Sequence, residues 1–261
     1  MGRARKSVGR RLDRFAKWLL KFRIVAIPAA KIANSSAAWS FISRTDRVRE
    51  NRLRNRIKQE ILPEHISIIM DGNRRFAWNE NVEKNIGHAQ GKEKLKEVMD
   101  WILDLEIKYF TVYALSTENI SERDPDELDA LYDLYVKGLD EIAADPRIHS
   151  KGVKVQAVGR TELLPDHVQE AIQQAESKTK NYSNYLFTVC LAYGGREEIV
   201  DAVRRIAREH ASGDLDLEEI NTQQISERLY TANLPDPDLV IRTSGEERIS
   251  NFLLWQIAYA E

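Results

Sequence analysis

Pro63-Glu64-His65-Ile66-Ser67-Ile68-Ile69-Met70-Asp71-Gly72-Asn73-Arg74-Arg75 decides how this chain is read. A short apolar run, too short for a helix and rich in isoleucine, breaks abruptly into an Asp-Gly-Asn turn carrying two cations. A run of this length bounded by turn residues reads as a buried strand. The same grammar recurs downstream. Strands are expected at His65–Met70, Tyr109–Leu115, Val153–Val158, Tyr185–Leu191 and Leu239–Ile241. Helices are expected between them, from about His88 to Leu105, Asp126 to Ala143, Leu164 to Lys180, Glu197 to His210 and Thr222 to Tyr230. Such alternation predicts an α/β fold with a parallel central sheet of about six strands, flanked by helices on both faces.

The polar residues gather where those strands end. Asp71-Gly72-Asn73-Arg74-Arg75 follows the first and Ser116-Thr117-Glu118-Asn119 the second. Tyr193-Gly194-Gly195-Arg196 follows the fourth and Arg242-Thr243-Ser244-Gly245 the fifth. In an open parallel sheet the carboxyl ends share one rim, where ligands bind, so clusters distant in sequence converge. Arginine forks grip phosphate oxygens, and one aspartate among them suits Mg²⁺ bridging to a diphosphate. Taken singly, Asp-Gly-Asn is a common turn and Gly-Gly-Arg a weak signal. Arg242 is harder to dismiss, because a cation ending an apolar strand requires an anionic partner. The residues alone thus predict a phosphorylated ligand with Mg²⁺.

The chain has 261 residues and a net charge of -2, but the charge is uneven. Residues 1–60 hold 17 basic and 4 acidic side chains, against 22 and 37 in the remainder. Leu12, Phe15, Leu19 and Phe22 recur at helical steps among cations, the pattern of a basic amphipathic helix at a membrane surface. Ile24–Ser43 is interrupted by Pro28, Lys31 and Asn34 and makes a poor spanning helix. A signal peptide, a solvated tail and a nucleic-acid-binding arm compete with the membrane reading. No nucleic-acid partner is expected for the body. Cys190, the single cysteine, lies in an apolar run and excludes an intrachain disulfide or thiolate zinc site.

At the strand-end clusters the sequence resembles the cis-prenyltransferase family, which includes undecaprenyl and dehydrodolichyl diphosphate synthases. The similarity runs through Pro63–Arg75, Gly87-His88, Tyr113–Asn119, Ala192–Arg196 and Asp238–Glu261, in order and spacing. The Asn-Arg-Arg-Phe form of the first motif is archaeal or eukaryotic in style. The resemblance implies an undecaprenyl diphosphate synthase-like catalytic domain over residues 62–261, preceded by a basic helical extension over residues 1–61. It implies a Mg²⁺-dependent transfer that joins isopentenyl diphosphate to an allylic prenyl diphosphate in cis configuration. A non-catalytic or partner-dependent subunit of a heteromeric enzyme is the alternative.

The resemblance also implies roles. Asp71 would ligate Mg²⁺, and Gly72, Asn73, Arg74, Arg75, Phe76, Lys84 and His88 would surround the allylic diphosphate. Ser116, Thr117, Glu118 and Asn119 would lie near the reacting carbons, with Asn119 assisting proton removal. Arg123 would contact phosphate if one residue is inserted ahead of it. Arg242, Arg248, Ile249 and Ser250 would hold isopentenyl diphosphate, and Glu261 would give a second metal contact. Lys84 stands where many bacterial relatives carry arginine, and Ile120 replaces an aromatic residue. Relatives continue beyond the point where this sequence stops, so a carboxyl-terminal truncation is expected. A homodimer, with a heteromer as the other possibility, and a cytoplasmic location peripheral to the membrane complete the expectation. Neither a Walker-type loop nor a Gly-x-Gly-x-x-Gly motif follows any strand, which weakens a nucleotide-binding reading.

Overall fold

The computed structural model describes residues 53–261, and the amphipathic helix expected within residues 1–43 lies outside them. Strand β1, His65–Ile69, is buried at all five positions. A strand covered on both faces needs neighbours on both edges, and β1 has them. It pairs in parallel with β2, Tyr109–Tyr113, on one side and with β5, Leu239–Arg242, on the other. Beyond β2 lie β4, Tyr185–Cys190, and then β3, Val153–Val158. The order is β3-β4-β2-β1-β5, all parallel. The described sheet has five strands, where about six were expected: each apolar run read as a strand forms one, and no other described segment joins.

Register aligns the strand ends. Val158 stands opposite Cys190, Cys190 opposite Tyr113, Tyr113 opposite Ile69 and Ile69 opposite Arg242. One row of the sheet therefore marks its carboxyl rim, and the polar clusters follow it directly. The row also fixes a face. Ile69, Tyr113, Cys190 and Val158 pack with Tyr193, Phe252 and Leu253 in one buried cluster. Tyr113 and Phe252 stack with ring centres 4.7 Å apart. Because side chains alternate along a strand, Val112, Phe187 and Val189 point to the opposite face, where a large cavity lies.

The α-helices of the Glu64–Ala260 unit are α1 (Asn73–Asn79), α2 (Lys84–Asp104), α3 (Thr117–Glu122), α4 (Pro125–Ala144), α5 (Pro146–Lys151), α6 (Asp166–Thr179), α7 (Gly195–Ser212) and α8 (Thr222–Ser226). The sequence reading missed α1, α3 and α5, which are six or seven residues long and too short to display a period. Their signals are local. Ser116 caps α3 by accepting from the Asn119 N–H at 3.0 Å. Asp124-Pro125 and Asp145-Pro146 place an aspartate N-cap before a first-turn proline at α4 and α5. Helix α2 begins one turn before His88, so that residue is interior to it.

Two polar joints at the amino end of β1 fix it against β2 and the approach to β5. His65 Nδ1 bonds the Pro235 carbonyl at 2.7 Å and Nε2 bonds Thr111 Oγ1 at 2.8 Å. Burial lowers its pKa, against the raising effects of the Pro235 carbonyl and Asp238. Asp238 Oδ2 accepts the backbone N–H groups of Glu64 and His65, at 2.7 and 3.0 Å, and so ties the chain entering β5 to the start of β1. Glu64–Ala260 forms one compact unit. Among the described residues, no helix is long and apolar enough to cross a membrane.

Candidate active site

Asp71 and Arg242 leave adjacent strands and meet. Arg242 donates to Asp71 Oδ2 from Nη2 at 2.7 Å and from Nε at 3.2 Å. Arg75, one turn into α1, donates to the same oxygen at 3.1 Å. The anionic partner that Arg242 required is thus Asp71. Burial pushes the Asp71 pKa up, but the bonds and charge of Arg242, the Gly72 N–H and the charge of Arg75 outweigh it, and the carboxyl stays below its ordinary value. Arg242 also donates to Ser250 Oγ at 2.7 Å and to the Arg248 carbonyl. Arg75 reaches Ser244 Oγ at 2.8 Å and Glu246 at 3.0 Å, while Arg248 holds the other oxygen of Glu246 at 3.1 Å.

The backbone here is pinned. Thr243 Oγ1 accepts the Asp71 N–H at 2.8 Å and donates to the Asp71 carbonyl at 2.6 Å. Gly72 has φ +96, and a Cβ on it would stand 2.6 Å from that of Ser244, so this crossing admits only glycine. Helix α2 closes on α1 in the same manner. A Cβ at Gly87 would stand 2.4 Å from the Asn73 carbonyl, and one at Gly91 2.7 Å from the Asn73 side chain.

A second ionic centre surrounds Glu127, whose side chain is only 5% exposed. Arg123 donates to it at 2.7 Å and Lys84 at 3.2 Å, and Arg74 lies 3.9 Å away. Burial raises the Glu127 pKa, yet the Lys84 bond and the charges of Arg123 and Arg74 bring it below the ordinary value. His88 Nε2 stands 3.5 Å from Glu127 without forming a hydrogen bond. Burial, then the Arg123 charge, lowers the His88 pKa against the pull of Glu127. His88 Nε2 and Arg123 Nε are both buried without a hydrogen-bond partner. Two orphan nitrogens on one cavity wall call for an acceptor from a ligand.

The third group lies across the rim. Asn251 Nδ2 donates to Glu118 at 2.9 Å and to Glu197 at 3.1 Å, and its Oδ1 accepts the Arg196 N–H at 2.9 Å. Ser250 and Asn251 have φ 47 and 60, a left-handed region that non-glycine residues enter at a cost. Beneath them Gln256, Tyr193 and the Tyr230 N–H donate to buried Glu198 at 3.0, 2.5 and 2.8 Å. This joint anchors the segment that carries Ser250 and Asn251.

These groups surround the mouth of a cavity of about 1320 Å³. Of the residues expected from sequence, Asp71, Gly72, Asn73, Arg74, Arg75, His88, Ser116, Glu118, Asn119, Arg123, Arg242, Arg248 and Ser250 line it. Five others do not. Phe76 and Ile249 are exposed, because their positions on α1 and in the 246–250 loop turn them outward. Lys84 is drawn to Glu127, and Thr117 bonds Glu118 at 3.2 Å. Glu261 is exposed and lies outside the Glu64–Ala260 unit. Glu127, Glu246 and Asn251 received no role from sequence; only the Arg123–Glu127 spacing of four in a helix start hinted at the first. Behind the mouth the walls are apolar, with Leu95, Met99, Leu131, Leu134, Leu139 and Ile142 prominent.

No group of three or more His, Cys, Asp or Glu fit to hold a metal occurs among the described residues. That does not suit an all-protein metal cage. It suits Mg²⁺ taken by one carboxylate with substrate phosphates, and Asp71, ionised at the mouth, is the residue that fits.

Relatives share this arrangement of sequence and fold. Residues 69–261 match the family described as putative undecaprenyl diphosphate synthase. The tritrans,polycis-undecaprenyl-diphosphate synthase (geranylgeranyl-diphosphate specific) of Pyrococcus horikoshii is 50% identical over 212 residues, covering 81% of this chain and 80% of that protein. The Methanocaldococcus jannaschii protein of the same name is 48% identical over 217 residues, covering 82% and 77%. Lavandulyl diphosphate synthase from Lavandula x intermedia, solved with dimethylallyl diphosphate, superposes with a TM-score of 0.72 at 34% identity, covering 76% of this chain and 85% of that one. A probable undecaprenyl diphosphate synthase from Campylobacter jejuni superposes at 0.61 with 30% identity, covering 77% and 85%. With an arginine-rimmed apolar cavity at the end of its parallel sheet, the chain belongs to the undecaprenyl diphosphate synthase family of cis-prenyltransferases.

Proposed function

We propose that the protein condenses isopentenyl diphosphate with geranylgeranyl diphosphate, in cis configuration, to build a long polyprenyl diphosphate for a glycosyl carrier lipid. One observation carries the reading: a single cavity joins a mouth of arginines around Asp71 to a long apolar interior. Its volume exceeds the roughly 300–1,000 Å³ of ordinary small-molecule sites, as an elongating hydrocarbon requires. The printed specificity of the archaeal relatives supports the primer.

Two phosphate-binding halves follow from the two ionic centres. Arg74, Arg75, His88 and Arg123, with Gly72 and Asn73, take the allylic diphosphate. The unpartnered His88 Nε2 and Arg123 Nε supply donors that its oxygens can complete. Arg242, Arg248 and Ser250 take the diphosphate of isopentenyl diphosphate. In the reaction the allylic C–O bond breaks, and its electron pair leaves on diphosphate. The isopentenyl double bond supplies the pair for the new C–C bond, and a proton is then lost from the neighbouring carbon. The arginines are already fixed where charge develops, so little reorganisation is needed. Asp71 would hold Mg²⁺, which would supply further neutralising charge to the departing diphosphate. Ser116, Glu118 and Asn119, which line the cavity, flank the reacting carbons in this reading, and Asn119 assists proton removal. The apolar walls receive the chain and keep water from the cationic carbon.

Membrane contact through the basic residues 1–43 and a homodimeric state belong to the same reading. Charge asymmetry supports the first, and the family resemblance supports the second. Liposome flotation and light scattering test them. The activity itself is tested with labelled isopentenyl diphosphate, geranylgeranyl diphosphate and Mg²⁺. Butanol-extractable product is expected, reduced by about two orders of magnitude or more in Asp71→Asn. No product from the unaltered protein refutes the proposal.

A further inference from the structure

Helix α2 carries Lys84, His88, Lys92, Lys96 and Asp100 at a strict four-residue step, so one stripe of it is polar throughout. The first two face Glu127 at the mouth. The next two face Glu141 of α4, far from it: 14 residues of helix separate Glu127 from Glu141, about 21 Å at 1.5 Å per residue. Between those carboxylates the cavity side of α4 presents Leu131, Leu134 and Leu139, and also Gly138.

Gly138 leaves a gap in that wall, and Lys92 covers it. A Cβ at position 138 would stand 3.7 Å from Lys92 Cδ, so the lysine stem lies where α4 offers no side chain. The Lys92 side chain is only 13% exposed. Its ammonium is tethered to both oxygens of Glu141 at 2.9 Å, and Lys96 grips Glu141 at 2.7 Å. Bonds from Lys96 and Lys92 hold the Glu141 carboxyl below its ordinary pKa, so the tether stays ionic at neutral pH. Lysine stems pack along apolar surface while the charged head is held apart, and Lys92 does so inside the cavity lining.

We infer that the Lys92 stem, tethered by Glu141, plugs the Gly138 gap and thereby limits how long a prenyl chain the cavity accommodates. The inference rests on the prenyl-transfer reading above. Proteins of this fold whose names denote products as different as lavandulyl and undecaprenyl diphosphate must differ in the room they give the chain. A chain entering the gap must displace the stem and break two charge-assisted bonds, whereas removing the stem leaves the gap open.

The test is product length, read by reverse-phase chromatography of dephosphorylated products made from geranylgeranyl diphosphate and labelled isopentenyl diphosphate with Mg²⁺. Lys92→Ala is expected to lengthen the main product by at least one C5 unit. Lys92→Met, which keeps a stem of similar volume without the charge, is expected to give the wild-type length. Gly138→Leu fills the gap from the other side and is expected to shorten the product, which gives an independent answer if Lys92→Ala does not fold. An active wild type whose product length is unchanged in Lys92→Ala and Gly138→Leu overturns the inference. So does a Met variant that lengthens the product as Ala does. A wild type that makes no product at all overturns the prenyl-transfer reading itself, and this inference with it.

Discussion

Glu127→Gln removes one negative charge from the centre of four groups, and the structure sets the size of the effect. Arg123 is the close partner, at 2.7 Å with both side chains shielded, and a charge-assisted bond of this kind contributes about 1.5–3 kcal/mol. Lys84 and Arg74 have side chains 60% and 57% exposed, so solvent screening limits each to well under about 1 kcal/mol. Uncharged His88 adds little. The sum is about 3 kcal/mol, equivalent to roughly 6–12 °C in Tm for a unit of this size. The sign with pH follows from the depressed carboxyl. Its contribution is complete above the ordinary glutamate value of 4.5 and is lost as pH falls through the lower folded value. Thermal and urea unfolding at pH 7 is therefore expected to separate Glu127→Gln from wild type, and the gap should close in acid. Inorganic diphosphate, replacing the missing charge between Arg123, Arg74 and His88, should narrow it at pH 7. A variant as stable as wild type at pH 7, or a gap that persists undiminished in acid, would show that Glu127 is not the standing counter-ion of this site.

Three further substitutions probe the remaining joints. Gly87→Ala puts a methyl 2.4 Å from the Asn73 carbonyl, so α1 must move; a fall in kcat/KM of about tenfold or more is expected, with destabilisation of about 1–3 kcal/mol, and unchanged kinetics would show the approach is not needed. Arg242→Lys replaces a fork that reaches Asp71, Ser250 and the Arg248 carbonyl with a point charge. The KM for isopentenyl diphosphate should rise about tenfold or more in steady-state assays, and an unaltered KM would remove Arg242 from that subsite. Glu198→Gln turns an acceptor for three donors into a half-donor and should cost about 1–3 kcal/mol in urea unfolding. Burial raises the Glu198 pKa despite its bonds to Gln256 and Tyr193, so wild-type stability includes a component that declines as pH rises from 4.5 through the folded value; the Gln variant should lack that slope.

The centre of the sheet was legible because β1 and nearly all of β2 are buried on both faces, which leaves no alternation to blur a run such as Ile66–Ile69. The rim was legible for a related reason: charged side chains do not continue a buried strand, so Asp71 and Arg242 mark where burial ends. What escaped was anything defined by packing between helices. Glu127 reads as an ordinary first-turn glutamate, and nothing local shows that its neighbours across the seam will be Lys84 and His88. Gly87 stood out only as part of the Gly87-His88 family motif and Gly91 not at all, yet a Cβ at either would press on Asn73. Phe76 was misplaced for the opposite reason: its place within a binding motif suggested contact, but α1 turns it away from the cavity while Arg75 and Asn73 remain at the mouth.

The carboxylates at the mouth explain how so many cations coexist before substrate arrives. Arg75 and Arg242 share Asp71, Arg75 and Arg248 share Glu246, and Arg74, Lys84 and Arg123 share Glu127. Diphosphate binding is therefore an exchange of acceptors, not the filling of a bare positive pocket. Arg75 and Arg242 keep their positions through the exchange because a second bond holds each: Arg75 to Ser244, Arg242 to Ser250. This arrangement discriminates against weak anions. A singly charged ion must displace a resident carboxylate for little return, whereas a diphosphate can also engage the two buried nitrogens, His88 Nε2 and Arg123 Nε, that no protein group satisfies. Chloride up to moderate concentration should accordingly compete poorly with inorganic diphosphate in thermal-shift titrations. Replacing His88 by Phe, which removes one of those nitrogens, should weaken diphosphate about tenfold while leaving the chloride response unchanged. Equal losses for both ions would mean that the mouth selects by charge alone.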